Sequence, residues 1–139
     1  MQHGWITEGL PEEIAGMPAT ARQFVEKEAL PLREGNPRAA QPALLRRAAE
    51  LGLTGPDVEE RHGGLGLSRV ASCHIIEELI REASFGVSMG VHTGIGMWPV
   101  QLFGTEAQRE RWLPPIVRAE ALTAYALTEP SAGSNAMGV

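Results

Sequence analysis

The shortages in this sequence exclude several classes of protein. Its 139 residues contain one cysteine, Cys73, so no internal disulfide can form and a disulfide-stapled secreted scaffold is excluded. Basic residues number 12 against 17 acidic ones, and the net charge of −5 repels nucleic-acid phosphates and anionic membrane surfaces. The first stretch, MQHGWITEGLPEE, lacks the basic and apolar regions of a secretory signal. We therefore expect a cytoplasmic protein with no nucleic-acid partner.

Short motifs for metal binding and for catalysis are also missing. The four histidines show neither H-E-x-x-H nor Cys-x-x-Cys spacing, so no metal site is expected. The letters GVSMG at 86–90 match the G-x-S-x-G motif of serine hydrolases, but a helical pattern precedes Ser88 and the one aspartate, Asp57, lies upstream. The run GLGLSR begins like a dinucleotide-binding loop but has Arg69 in place of the third glycine. Neither a catalytic serine nor a Rossmann fingerprint is predicted.

What the sequence does contain is helical periodicity over most of its length. Apolar residues at intervals of three and four predict helices near 18–30, from Pro42 to Gly52, from Ser68 as N-cap, and from Thr105, which fits a capping box with Gln108. The predicted buried positions of the last two helices are Val70, Cys73, Ile76, Leu79 and Ile80, then Trp112, Leu113, Ile116 and Val117. The predicted fold class is mainly α, a helical bundle.

A glycine-rich stretch without a charged side chain covers residues 85–104. A run of 20 uncharged positions is long enough to span a membrane, but its five glycines, with serine, histidine and glutamine, make it too polar to insert. Gly86, Gly90 and Gly94 recur every four residues, so one face of a helix would carry no side chains and would admit a close neighbour. We predict a tightly packed central helix and no membrane partner.

The sequence pattern changes at about residue 120. From Ala121 to Pro130 the side chains alternate in a way that is typical of a β-strand. The following letters SAGSN, 131–135, are small residues whose backbone amides can point outward together toward a phosphate-bearing or other anionic ligand. Tyr125 offers an aromatic face beside this loop, and Thr128 a hydroxyl that can donate and accept. From these residues alone, a ligand site and an ordinary strand with a turn are equally good interpretations.

The stretch ALTEPSAGSN at 126–135 resembles the flavin-contacting signature of the acyl-CoA dehydrogenases. The resemblance extends back, in the family's order, through LFGTEAQRERWLPPIVRAE at 102–120, GVHTGIG at 90–96 and RHGGLGLS at 61–68. It covers nearly the whole chain. Three residues depart from the family's common pattern, where tyrosine, glycine and aspartate are usual: His62, Ser131 and Asn135.

The resemblance implies a domain organisation. Residues 1–120 would form the family's N-terminal helical domain, and 121–139 the incomplete start of its middle β-domain, so the fold would be a helical bundle with a short C-terminal β segment. A C-terminal helical bundle follows in the family, and FAD lies between the domains and between subunits. We therefore expect the chain to be the N-terminal part of a longer acyl-CoA dehydrogenase, either a fragment or a truncated reading frame, and catalytically incomplete alone.

Residue roles follow from the same resemblance. The residues expected to contact FAD are Tyr125, Ala126, Leu127, Thr128, Gly133 and Ser134. The residues expected to contact acyl-CoA are Ser134 and, along the acyl-chain tunnel, His92, Thr93 and Gly96. Helix packing without a ligand explains the glycine-rich stretch equally well.

The resemblance also implies the chemistry and the partners. The family oxidises an acyl-CoA thioester to 2-enoyl-CoA: a carboxylate removes the α-proton while hydride passes from the β-carbon to the flavin. That carboxylate lies in the family's C-terminal domain, so no catalytic residue is expected in this chain, and Glu129 is expected to support the loop. A homo-oligomer and electron-transfer flavoprotein as electron acceptor are implied as well. The alternatives are a helical interaction module without flavin, or part of an acyl-CoA oxidase or flavin monooxygenase.

Overall fold

The computed structural model describes residues 12–138, and these residues are mainly helical. Their α-helices are α1 (Glu12–Phe24), α2 (Pro37–Glu50), α3 (Arg69–Leu79), α4 (Ala83–Gly90), α5 (Trp98–Phe103) and α6 (Glu106–Val117). A π-helical turn at Val25–Ala29 and a 3-10 turn at Leu30–Glu34 extend α1. Further 3-10 turns lie at Glu60–His62 and Ala136–Gly138. The predicted mainly α class is confirmed.

Four of the helices, α2, α3, α4 and α6, start at a residue whose side chain caps them. Thr105 and Gln108 form the predicted capping box of α6: the Thr105 amide donates to Gln108 Oε1 at 2.8 Å, and the Gln108 amide donates to Thr105 Oγ1 at 3.3 Å. Asn36 caps α2, so that helix begins at Pro37 and contains Pro42. The predicted start at Pro42 is therefore wrong, because the Asn36 cap with proline directly after it already provides a helix start.

Replacing Thr105 with alanine is expected to lower the free energy of unfolding by about 1 kcal/mol, because the cap satisfies a backbone amide that the helix cannot. Urea denaturation followed by far-UV circular dichroism measures the change. Thr20→Ala is the matched control, since Thr20 lies within α1 and its hydroxyl donates to the Gly16 carbonyl, so it caps no helix start. Equal losses in the two variants would contradict the role of the capping box.

The buried face of α3 differs from the predicted one. Ala71, Ile75 and Leu79 are buried, whereas Val70 and Ile80 are 56% and 54% exposed. The face is set by the neighbours of α3, which packs against both α1 and α4. In α6 the predicted Leu113, Ile116 and Val117 are buried, while Trp112 is 43% exposed. Periodicity therefore predicted where these two helices lie in the chain, but not all of the residues on their buried faces.

Two apolar clusters hold the helices together. The larger joins α1, α2, α3 and α4, and in it the rings of Phe24 and Phe85 lie 5.3 Å apart. The smaller contains Val58, Met97, Leu113, Ile116 and Val117, and joins the loop before α3 to α5 and α6.

Residues 83–103, here called the glycine-rich helix, consist of α4, the π-helical turn Val91–Gly96 and α5 in direct succession. This helix is central, as predicted: α4 packs against α2 and α3, and α5 packs against α6. No helix among residues 12–138 is both long enough and apolar enough to cross a membrane.

The predicted strand at 121–130 is not formed. Residues 122–128 have neither helical nor strand structure, and the one bridge in this region joins Glu129 to Ala132. A strand needs hydrogen bonds to a neighbouring strand, and residues 12–138 supply no partner for this segment. The short C-terminal β segment is thus reduced to an isolated bridge within the described residues.

Candidate functional site

His92 joins the glycine-rich helix to the chain after α6. Its Nε2 lies 3.0 Å from the Ile116 carbonyl oxygen, and its Nδ1 accepts a hydrogen bond from the Thr123 amide at 3.3 Å. The Thr123 hydroxyl donates to the His92 carbonyl at 2.9 Å. One buried imidazole thus fixes the end of α6 and the start of the segment that leads to Tyr125.

The partners of His92 determine its protonation. The Ile116 carbonyl can only accept, so Nε2 carries the proton, and Nδ1 must stay unprotonated to accept from Thr123. Burial lowers the pKa of His92 below its ordinary value of 6.5, and this effect outweighs the Ile116 hydrogen bond, which raises it. His92 is therefore neutral, and both of its ring nitrogens form hydrogen bonds within the chain. Its contacts with Thr123 are called the His92–Thr123 junction below.

The glycines of the glycine-rich helix serve two different purposes. A β-carbon at Gly86 would lie 2.6 Å from Ile80 Cα, and one at Gly96 would collide with the Thr123 hydroxyl. A β-carbon at Gly90 or Gly94 would have no neighbouring atom of the described residues within 4 Å. Gly86 and Gly96 are therefore required for close packing, whereas Gly90 and Gly94 face open space.

That open space is a cavity of about 210 Å³ between α3, the glycine-rich helix and the loop that precedes α3. Apolar groups of Leu53, Pro56, Ile76 and Trp98 line much of it, and Thr93 lies beside Gly90 and Gly94 on its helical wall. Of the three helix positions predicted to contact an acyl chain, Thr93 lines this cavity, while His92 and Gly96 face Thr123.

The loop after Pro130 is closed by two backbone hydrogen bonds. The Glu129 amide donates to the Ala132 carbonyl at 2.9 Å, and the Ala132 amide donates to the Glu129 carbonyl at 3.2 Å. Ala132 is buried and anchors the loop, whereas Gly133 and Ser134 are exposed. Within residues 12–138 the amides of Gly133 and Ser134 donate to no backbone carbonyl. These two donors remain available at the surface.

The other residues predicted to contact FAD lie on the same surface segment. Tyr125, Ala126 and Thr128 are exposed and Leu127 is partly exposed. Glu129 contributes its backbone to the bridge, and its expected role as a support of the loop stays a prediction. The structure therefore brings the predicted flavin residues together on one exposed segment, and the His92–Thr123 junction fixes where that segment starts.

Sequence reasoning missed three residues that shape this region. Thr123 was predicted only as one position of an alternating strand. In the structure its hydroxyl donates to the His92 carbonyl and occupies the space where a β-carbon of residue 96 would lie. Asp57 and Ser72 line the cavity with polar groups. Asp57 carried a signal that could have been used, because it is the one aspartate of the chain and lies in a turn-rich loop. Residues 12–138 contain no cluster of three or more histidine, cysteine or acidic side chains suited to a metal ion.

Comparison with known proteins gives consistent matches. The family model described as "Acyl-CoA dehydrogenase, N-terminal domain" matches residues 3–120. A protein named "Probable acyl-CoA dehydrogenase" from Bacillus subtilis (strain 168) is 40% identical over 137 residues, which is 96% of this chain and 23% of that protein. The mitochondrial short-chain specific acyl-CoA dehydrogenase of Mus musculus is 35% identical over 130 residues, 91% of this chain and 32% of that protein.

Solved structures match as well. The crystal structure of an acyl-CoA dehydrogenase from Bacillus anthracis, complexed with FAD, superposes with a TM-score of 0.90 at 40% identity. The match covers 96% of this chain and 23% of that one. The chain thus spans about a quarter to a third of the length of these relatives.

Proposed function

Because this chain belongs to the acyl-CoA dehydrogenase family, we propose that it is the N-terminal part of a flavin-dependent enzyme that oxidises an acyl-CoA thioester to its 2-enoyl-CoA. The chain would supply contacts to FAD and to the acyl-CoA, and would contain no catalytic base. We also propose a domain boundary at about residue 120, which is supported by the end of the family match at that position.

The observation that carries the flavin proposal is the geometry of the loop 131–135. Ala132 anchors this loop, so the exposed amides of Gly133 and Ser134 are held in place without using their own hydrogen bonds. A β-carbon at Gly133 would have no neighbouring atom of the described residues within 4 Å, so a diphosphate can approach the backbone there. The residues present therefore fit the diphosphate of FAD.

The ring of the cofactor would lie toward the earlier part of the segment. Tyr125 and Leu127 provide apolar surface and Thr128 provides a hydroxyl that can bind the polar edge of the isoalloxazine, with Ala126 between them. When bound, the flavin would supply the hydride acceptor of the reaction. The residues of this chain would orient that ring and would not transfer a proton.

The acyl-CoA contacts are proposed at two places. Ser134 would meet the thioester part of the substrate beside the cofactor, and Thr93 would contact the acyl chain from the glycine-rich helix. His92 and Gly96 would act on the same site through Thr123, by fixing the segment that carries Tyr125. In this arrangement His92 is a positioning residue.

Exposed apolar side chains support a larger assembly. Phe103 is 85% exposed, Val87 63% and Ile95 46%, and Trp112 and Tyr125 are also exposed. Surface of this kind is typical of regions that other protein parts cover. We propose that further domains and a second subunit cover it, and that electron-transfer flavoprotein accepts the electrons.

A chimera tests the proposed function. The chain would replace the part of the FAD-containing Bacillus anthracis acyl-CoA dehydrogenase that it superposes on. We expect the chimera to purify with FAD and to reduce an artificial electron acceptor when an acyl-CoA is added. Within the chimera, Ser134→Ala is expected to weaken FAD retention by roughly tenfold: alanine keeps the Ser134 amide but removes a hydroxyl that would also donate to the diphosphate, and a hydrogen bond to a charged group contributes about 1.5–3 kcal/mol.

Ser131→Ala is the matched control, since Ser131 lies in the same loop, is exposed, and has no proposed contact. It should leave FAD retention unchanged. A chimera that shows the parent's cooperative thermal unfolding but carries no FAD and has no turnover would refute the proposal.

A further inference from the structure

The cavity beside Gly90 and Gly94 is a pocket that opens to solvent, and the exposed Cys73 is one of its lining residues. An apolar cavity of roughly 150 Å³ is enough to hold benzene. This one has a volume of about 210 Å³. A molecule with one aromatic ring and a small substituent therefore fits its size.

The two glycines are not explained by packing. Each glycine inside a helix costs about 1 kcal/mol relative to alanine. At Gly86 and Gly96 packing requires glycine, because a β-carbon would collide with a neighbour. At Gly90 and Gly94 a β-carbon would meet nothing among the described residues outside its own helix. The missing side chains at 90 and 94 serve to keep the cavity open.

One corner of the cavity is polar. The Asp57 side chain is only 10% exposed, and its Oδ2 lies 3.2 Å from Arg69 Nη2. That ion pair is not aligned as a hydrogen bond, so Oδ2 has no hydrogen-bond donor among the described residues. The Ser72 oxygen, also shielded from solvent, has no hydrogen-bond partner there either. Arg69 is held over the Trp98 ring, 4.3 Å from its centroid.

The charges of this corner limit what it can bind. Asp57 and Arg69 already neutralise each other, so a charged ligand would be left without a counter-charge in an otherwise apolar space. A buried carboxylate oxygen without a donor and a free serine hydroxyl instead suit a neutral group that both donates and accepts. A hydroxyl is the smallest group that does both.

We propose that this cavity is a binding site for a small, neutral, mainly apolar group that carries one hydroxyl. The hydroxyl would donate to Asp57 Oδ2 and accept from the Ser72 hydroxyl, while the apolar body would lie against Gly90, Gly94 and Trp98. The site adds a hydroxyl-binding corner to the cavity that Thr93 also lines, and so far as Thr93 contacts an acyl chain there it rests on the proposed function. It lies on the side of the glycine-rich helix away from the His92–Thr123 junction, and all of its lining residues belong to this chain.

The test uses the sole cysteine of the chain as a reporter. Cys73 is exposed and lines the cavity, so a bound ligand slows its reaction with a thiol-specific disulfide reagent. The probes are p-cresol and toluene, which differ only by a hydroxyl. On the intact 139-residue protein, we expect p-cresol to protect Cys73 at a concentration roughly tenfold lower than toluene does.

Variants separate the polar corner from the apolar body of the site. Asp57→Asn should raise the protecting concentration of p-cresol by roughly tenfold and leave that of toluene unchanged, because a hydrogen bond to a carboxylate is about twice as strong as one to a neutral amide. Ser72→Ala should act in the same direction and serves as the second variant if Asp57→Asn does not fold.

Gly94→Leu should abolish protection by both probes, because its side chain fills the cavity. Gly16→Leu is the matched control: it makes the same change at a helical glycine that also has open space but lies in α1, away from the cavity. It should leave protection by both probes unchanged.

The hydroxyl can belong to a free molecule or to the end of an acyl chain, and two thioesters distinguish these sources. Stronger protection by 8-hydroxyoctanoyl-CoA than by octanoyl-CoA would assign it to an acyl chain, and protection by p-cresol alone would assign it to a free ligand. Both outcomes support the site. Equal protection by p-cresol and toluene, or protection that survives Gly94→Leu, would overturn the proposal, and neither result would bear on FAD binding by the chimera.

Discussion

Replacing Gly86 with alanine is expected to lower the free energy of unfolding by about 2–3 kcal/mol, because overpacking a closed contact forces the backbone to shift. The new β-carbon would lie 2.6 Å from Ile80 Cα, a main-chain atom that cannot rotate away. The same substitution at Gly90 is expected to raise the free energy of unfolding by about 0.5–1 kcal/mol, since alanine is the better helix former and meets no neighbour there. Two glycines four positions apart would thus respond with opposite signs.

Urea denaturation of the two variants beside the parent protein measures both changes. Gly94→Ala repeats the test at a second open position and should behave like Gly90→Ala. A destabilised Gly90→Ala would show that the space beside this glycine is filled by an atom that the structure does not place there. Stabilisation together with weaker Cys73 protection by p-cresol would show that stability is given up at this position to keep the cavity open.

Removing the imidazole of His92 is expected to have an even larger effect. His92→Ala should lower the free energy of unfolding by about 3–4 kcal/mol, since it leaves a cavity and strips two buried backbone groups of their partners. Those groups are the Ile116 carbonyl and the Thr123 amide. In the chimera, the variant should also retain FAD less well, because the segment carrying Tyr125 loses the hydrogen bond from the Thr123 amide to the imidazole and keeps only the one from the Thr123 hydroxyl to the carbonyl of residue 92.

The same residue should make stability depend on pH. The pKa of His92 is lowered in the folded protein by burial, so between its folded and unfolded values the unfolded state binds more protons. The contribution of neutral His92 to the free energy of unfolding is complete above the ordinary pKa of 6.5 and is lost as the pH falls below that value. The limiting slope for one group is about 1.4 kcal/mol per pH unit.

Denaturation at a series of pH values from about 7.5 down to 5.5 would measure this loss. The parent protein should lose stability over that interval, and His92→Ala should lose less. Met89→Ala is the control, because Met89 is fully buried in the same helix and carries no titratable group, so its variant should keep the parent's slope. Identical slopes for the parent and His92→Ala would contradict a neutral buried His92.

Local sequence features predicted those parts of the fold that depend on nearby residues. The Ser68 and Thr105 caps and the central glycine-rich helix were all correctly located, because a cap acts within one helical turn and an uncharged, glycine-rich run cannot be a solvated helix. The start of α2 was misplaced, because Pro42 was taken as the first residue of a helix that Asn36 had already capped. The strand at 121–130 was misjudged for a different reason: its alternation is local, but a strand exists only with a partner.

The candidate site was predicted in composition but not in arrangement. The residues expected to contact FAD were named from the resemblance of ALTEPSAGSN; they lie on one exposed segment, and their contact with FAD stays a prediction. His92 was expected to line the acyl-chain tunnel, and in the structure its two ring nitrogens form hydrogen bonds with the Ile116 carbonyl and the Thr123 amide. A histidine in an uncharged helix has no local signal that distinguishes a ligand contact from a junction.

By itself, the sequence determined the helical class, the Ser68 and Thr105 caps and membership of the acyl-CoA dehydrogenase family, because these depend on residue types and on short spacings along the chain. Only the tertiary structure decided which glycine packs against a neighbouring residue and which faces a cavity. Gly86 and Gly90 look alike in the sequence, and one meets Ile80 while the other meets open space. The difference arises from how neighbouring helices pack, and no spacing within one helix records it.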